Sequence, residues 1–145
     1  MKKEDFILKN IELDDVDFTY EIYQSRDKLE LPDIISYEEQ KKFVIDYINT
    51  KENSPFDAWN IIMMNSKKIG LISLRRLNNE IGIWIVPEYQ NKGIATLAIN
   101  FFMKNNPRQY YTALVHTYNK QSQEYFKKVG MKLESYQYRI NTDKN

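Results

Sequence analysis

The sequence predicts one mixed α/β domain, an α+β architecture in which a twisted, mainly antiparallel sheet carries helices on both faces. Three observations predict it. Apolar periodicity switches between strand and helix spacing along the chain, in the order β-α-α-β-β-β-α-β-α-β. The three central strand-like segments are joined by short turns, which makes them antiparallel, whereas residues 80–116 read strand–helix–strand and call for a right-handed parallel crossover. Finally, 145 residues that are 42% hydrophobic and 14% aromatic can build a core, although mean hydropathy is −0.65. One domain spanning 1–145 is expected.

Residues 6–13 read as the first strand. Asp14 and Asp15 can cap a helix running to about Arg26, with Phe18, Ile22 and Tyr23 on one face. Residues 28–35, containing Leu31, Pro32 and Asp33, read as a loop. Ser36, with Glu39 three residues on, is a capping box opening a second helix striped by Phe43, Val44, Tyr47 and Ile48. Residues 58–64 and 68–77 form the next strands, separated by a turn at 65–67. Asn78 and Asn79 signal another turn before a strand at 80–86 that is apolar on both faces. Pro87 ends it. A helix follows over about 94–105, then a strand at 110–116, and a helix at 121–129 stopped by Gly130. Residues 131–140 read as a last strand.

Composition removes several chemistries. There is no cysteine, which excludes disulfides and thiolate catalysis, and a single histidine, His116, which excludes a His-rich metal site. Lys plus Arg number 21 against 20 Asp plus Glu, so no field draws nucleic acid or an anionic membrane. No apolar run suits a leader or a membrane helix, and a soluble cytoplasmic domain is expected. The Lys and Arg pairs read as solvated faces, and the 11 tyrosines as packing and pocket lining.

The most informative stretch is residues 83–96, where a buried strand ends at Pro87 and a polar loop with one glycine runs into a helix. Free N–H groups and the helix dipole at such a terminus attract an anion, Gly93 permits close backbone approach, Ala95 keeps the first turn narrow, and Lys92 adds a mobile charge. A pyrophosphate suits it. The Gly-Lys-Ser/Thr ending of a Walker loop is absent, and so are two glycines of the dinucleotide fingerprint. An ordinary strand–helix turn is the alternative.

Residues 87–95, Pro-Glu-Tyr-Gln-Asn-Lys-Gly-Ile-Ala, resemble the acetyl-CoA signature of the GNAT N-acetyltransferases, Gln/Arg-x-x-Gly-x-Gly/Ala. Residues 80–85 resemble the branch that includes ribosomal-protein N-terminal acetyltransferases. Asn119-Lys120-Gln121-Ser122, then residues 126–131, resemble the family's second motif. The resemblance covers nearly the whole chain. It implies that acetyl-CoA lies in a splay between the strands ending at Val86 and near His116. Backbone of Ile85 and Val86 would hold the pantetheine and thioester carbonyl. Amides of Gln90, Asn91, Lys92, Gly93, Ile94, Ala95 and Thr96 would hold the pyrophosphate. Asn119 would contact the pantetheine amide, and Lys128 would approach the phosphates. A primary amine on a small molecule, an amino sugar or a protein N-terminus would attack the thioester directly, with no metal.

The catalytic groups depart from the family pattern. Phe126 stands where relatives often carry the tyrosine that protonates the thiolate. Tyr125 lies about 100° around the helix and should point elsewhere, as a surface or core-edge tyrosine. Ser122 is the better substitute by position, against a reading as a hydroxyl bonding the backbone. Glu80 is the candidate base, acting through water, against a reading as a strand-end carboxylate in solvent. For His116 a structural or cofactor-edge role is favoured over a role as base, and Trp84 packs in the core or lines the acceptor pocket.

Residues 28–35 and the helix after them are expected to wall the acceptor pocket. Asp27, Glu30, Asp33, Glu38 and Glu39 make it acidic, which favours a cationic acceptor. Only 14 residues follow Met131 where relatives usually finish with a hairpin, so either the final strand is absent or a partner supplies that edge in a homodimer. Two rivals remain: a non-catalytic acyl-CoA-binding or protein-interaction module on the same fold, and a nucleic-acid-binding domain.

Overall fold

The first strand, β1 (Phe6–Asn10), is an outer member of a sheet whose order is β1-β2-β3-β4, every pair antiparallel. The computed structural model of the chain describes residues 6–25 and 36–142. The loop expected at 28–35, and the helix end at Arg26, lie outside them. β2 is Phe56–Met64, β3 Lys67–Arg75 and β4 Glu80–Ile85. The helices are α1 (Val16–Ser25), α2 (Tyr37–Asn49), α3 (Ile94–Asn105) and α4 (Lys120–Lys128).

The sheet is apolar on both faces because each face carries its own core. On one, Ala58, Ile62, Ile72, Ile81 and Ile85 pack against Ile94, Ala98, Ile99 and Phe102 of α3 and Phe126 of α4. On the other, Trp59 and Ile61 pack against Val16 of α1 and Val44 and Tyr47 of α2. Residues i and i+2 of a strand share a face. Hence Ile81, Ile83 and Ile85 turn toward α3, while Glu80, Gly82 and Trp84 turn toward α1 and α2.

The local signals explain most boundaries. The β2–β3 turn is made by Asn65 (φ 51°) and Ser66 (φ 65°), the left-handed pair that matches sheet twist. Ser36 Oγ accepts the Glu39 N–H at 3.1 Å and Glu39 Oε1 accepts the Ser36 N–H at 3.2 Å, completing the capping box. Gly70 is required by close approach: a Cβ there would collide with the Trp84 carbonyl oxygen across the β3–β4 pair.

The start of the first helix differs from the expectation. Glu12, not Asp14 or Asp15, takes the capping position ahead of a short 3-10 turn, Leu13–Asp15. The Asp15 carboxylate is fully buried; it accepts the Glu12 N–H at 2.8 Å and meets the ammoniums of Lys9 and Lys68, each at 2.6 Å. Burial works to raise its pKa, but Lys68, Lys9 and the Glu12 N–H outweigh burial and hold it below the usual carboxylate value.

Two expected strands are corrected. In residues 110–116 only Thr112 pairs, in a parallel bridge to Glu80, with Ile81 N–H donating to Thr112 O at 2.8 Å and Thr112 N–H to Asn79 O at 3.1 Å. The crossover from β4 is therefore parallel, as expected, but no further pairing follows Thr112. Residues 131–140 form no strand. Leu133, Tyr136, Tyr138 and Ile140 are 75, 73, 90 and 84% exposed. Their alternation fits a strand, yet apolar spacing supplies no N–H and C=O partners, and among the described residues neither sheet edge, β1 nor β4, pairs with them.

Candidate functional site

A cleft lies at each end of β4. At its C-terminal end Val86 leads into a 3-10 turn, Pro87–Tyr89, and then into the loop that precedes α3. Asn91 (φ 61°) and Gly93 (φ 80°) are both left-handed, and Gly93 is the residue immediately before α3. Its carbonyl accepts the Leu97 N–H at 3.2 Å, which leaves the earlier N–H groups of the first turn without helical partners. They open on a cleft of about 590 Å³.

One wall of this cleft is Tyr89, Gln90, Asn91, Gly93, Ala95 and Thr96; the other is the α4 face of Lys120, Gln121, Glu124, Tyr125 and Lys128. Asn119 builds that second wall by capping α4, its Oδ1 accepting the Ser122 N–H at 3.1 Å. Gln121 Nε2 donates to Asn91 Oδ1 at 3.2 Å and joins the walls. Free helical amides facing two lysines form a donor set matched to phosphate oxygens.

The outer edge of β4 is tied to the cleft through Gln90, which lines the cleft and bonds the strand end. Val86 N–H donates to Ile69 O at 2.8 Å, so even-numbered residues of β4 face β3 and odd-numbered ones face outward. Ile81 is engaged by Thr112; the N–H groups of Ile83 and Ile85 have no backbone partner on the outer side among the described residues. Gln90 Nε2 donates to Ile85 O at 2.8 Å and ties the loop to the strand end. A linear amide chain can therefore lie along this edge as an added strand would.

The expected site residues divide accordingly. Gln90, Asn91, Gly93, Ala95, Thr96 and Lys128 come together in the cleft. Ile94 is buried in the core, and Lys92 lies over the Tyr89 ring at 5.8 Å, outside the lining. Val86 spends its N–H on Ile69 and its carbonyl on Tyr89 N–H, at 3.0 Å, and the Ile85 carbonyl accepts from Gln90, so the outward group left open is the Ile85 N–H. Ser122 shares the helical face of buried Phe126 rather than that of Gln121 and Tyr125.

Glu80 stands at the other end of β4. It lines a separate cleft of about 500 Å³ with Pro55, Arg75, Arg76, Leu77 and Asn78, its carboxylate 3.7 Å from Arg75 Nε. At ~3.3 Å per residue it starts about 10 Å from Ile83. His116 is exposed and stacks on Tyr118, centroids 5.3 Å apart. Trp84 is half-buried, opposite Leu71 on the α1–α2 face.

Sequence reasoning missed Ile83, whose outward amide follows only from the pairing register. It also missed Gln121 and the cleft position of Tyr125. The spacing 121, 124, 125, 128 was visible as one helical face once Asn119 was fixed as the cap.

A sheet with helices on both faces, an open edge on its fourth strand and a helix start whose free amides face two lysines define a fold with a cleft suited to an anionic ligand. The chain belongs to the GNAT acetyltransferase family: the family model described as acetyltransferase (GNAT) domain matches residues 5–132. Members transfer an acetyl group from acetyl-CoA to an amine without a metal, and this chain is an acetyl-CoA-dependent N-acetyltransferase. Among solved structures it is similar to the spermidine N-acetyltransferase of Vibrio cholerae in complex with CoA and spermine. That likeness has a TM-score of 0.78 and 20% identity over 96% of this chain and 89% of the other. It is also similar to the microcin C7 self immunity acetyltransferase in complex with acetyl-CoA and AMP (TM-score 0.70, 19% identity, 92% and 82% covered). A possible acetyltransferase from Clostridium difficile 630 gives a TM-score of 0.63 at 15% identity, with 94% and 98% covered. A search of curated proteins returns no match. No helix among the described residues is long and apolar enough to cross a membrane.

Proposed function

We propose that this chain, folded as one domain over 1–145, acetylates a cationic primary amine of the polyamine type in the cytoplasm. The observation that carries the reading is the α3–α4 cleft beside the open edge of β4, the two joined by Gln90. The amides at 90–96 and Lys128 take the donor's phosphates, Ile83 and Ile85 take the pantetheine and thioester carbonyl, and Asn119 holds the α4 wall in place.

The amine nitrogen attacks the thioester carbonyl carbon, forming the C–N bond. The tetrahedral intermediate then collapses with cleavage of the C–S bond. Glu80 receives the ammonium proton through water, and the Ser122 hydroxyl hydrogen-bonds the departing sulfur. Phe126 supplies no acid, but a thiol pKa is about 8.5, so the thiolate leaves without one. The cationic acceptor is supported by exposed acidic side chains around α1 and α2, including Asp17, Glu38 and Glu39, and by the spermidine acetyltransferases with the same fold. Asp17 accepts a hydrogen bond from Tyr37 at 2.6 Å there.

Thiol release from acetyl-CoA across a panel of polyamines, amino sugars, peptides and acidic amines tests the reading. Turnover with di- and polyamines is expected. Turnover confined to neutral or acidic amines, or to peptide N-termini as in the ribosomal-protein branch, overturns the acceptor class. Cofactor binding without turnover selects a non-catalytic acyl-CoA-binding module, the reading that Phe126 favours. We also propose a homodimer, supported by the exposed, strand-patterned residues 131–140. A concentration-independent monomer mass in sedimentation removes it.

A further inference from the structure

Ser73 and Gly82 leave a notch in the sheet face between the candidate base and the cofactor edge. They are cross-strand partners, in a row that runs Trp59, Ser73, Gly82 from β2 to β4, so side-chain volume falls toward the open edge. The flanking rows on that face are Leu71 with Trp84 and Arg75 with Glu80. A Cβ at Gly82 would stand 3.2 Å from Ser73 Oγ and meet no other atom within 4 Å among the described residues, so the hydroxyl borders the space left by the missing side chain. Ser73 is only 8% exposed, and its hydroxyl makes no hydrogen bond among the described residues. It is nevertheless not one of the sealed-off unpartnered side-chain atoms, which among those residues belong to Asp15, Gln40 and Tyr125. A largely buried hydroxyl with no protein partner and an empty space beside it is the setting of a bound water. Glu80 and Ile83 start about 10 Å apart along β4, and Gly82 lies within that interval. We propose that Ser73 Oγ holds, in the notch over Gly82, the water through which the acceptor's ammonium proton reaches Glu80.

The proposal rests on the acetyltransfer reading of β4 and deepens it by naming the group that places the water. One hydrogen of that water goes to Ser73 Oγ and the other to a Glu80 carboxylate oxygen, which leaves a lone pair for the ammonium. The ammonium gives its proton to the water as the water gives one to Glu80, so the amine is freed, the carboxylate is protonated and the water is regenerated. Ser73 keeps its own proton throughout and is a positioning residue. The absent side chain at position 82 is as necessary as the hydroxyl at 73, because a methyl group there takes the place of the water.

Steady-state kinetics of the native chain, Ser73→Ala, Gly82→Ala, Glu80→Gln and the Ser73→Ala/Glu80→Gln pair test this, with CoA titration and the thermal midpoint of each protein measured alongside. Ser73→Ala is expected to lower kcat about tenfold, the size of one hydrogen bond, with the KM for acetyl-CoA and the CoA affinity unmoved. Its midpoint should be unchanged or higher, since the hydroxyl it removes has no protein partner. Gly82→Ala should lose at least as much kcat, again without loss of CoA affinity. In the Glu80→Gln background Ser73→Ala should cost nothing further, because the relay is already cut. Native kcat in either single variant overturns the proposal and leaves the acetyltransfer reading standing. A tenfold loss that persists in the Glu80→Gln background, or one that appears in CoA affinity, also overturns it by separating Ser73 from the proton path. A native chain that turns over no amine overturns the reading of β4 itself.

Discussion

The two ends of β4 are built by different means. At the Ile85 end the binding groups are main-chain: outward amides of the strand, the free first turn of α3, and a loop bent by left-handed Asn91 and Gly93. At the Glu80 end the candidate group is one side chain, held across the strand pair from Arg75 at 3.7 Å. The difference teaches where specificity of each kind resides. A main-chain cradle tolerates almost any side chain except where φ or close approach demands glycine. A side-chain base stands or falls with one residue.

This contrast orders the expected effects. Glu80→Gln should lower kcat by about 10²- to 10⁴-fold, the range for loss of a general base, while leaving acetyl-CoA affinity unchanged. Steady-state kinetics with the best amine beside CoA titration separates the two, and parallel losses in both would dissolve the division between the ends of β4. Gly70→Ala should destabilise the fold by roughly 2–4 kcal/mol, because the strand pair that aims the β4 edge must part to admit a methyl group; urea melts check it. Gly93→Ala meets open space, so only the backbone objects: about 1 kcal/mol of stability is expected to go at φ 80°. Lys128→Ala should weaken CoA binding about three- to fivefold at low salt and less at high salt, since its charge is exposed and screened. A salt-independent loss would place Lys128 in a packing role.

Legibility in the sequence follows the same divide. Ser36 with Glu39, the Asn65–Ser66 turn, the limits of α3 and the Gly93 loop were readable because each is a local rule with a local residue signature. The splay was only half readable. Residues 110–116 look like a strand by pattern, but whether they pair beyond Thr112 depends on a non-local choice of direction. Residues 131–140 alternate convincingly and remain exposed, because alternation describes a face and not a neighbour. The outward amide of Ile83 has no side-chain signature. Tyr125 was assigned by angle relative to Phe126, which was correct in separating the two residues; the wall that Tyr125 meets was supplied by the loop from α3.

The most direct measurement is titration of acetyl-CoA into the native chain and into Gly93→Glu. The substitution places a carboxylate and a strained φ where phosphate oxygens are expected to sit. Micromolar binding by the native chain, weakened at least 100-fold in a variant that still folds, is the expected result. Undiminished binding by the folded variant would contradict the main-chain cradle at the start of α3 and send the search for the donor site elsewhere on the molecule.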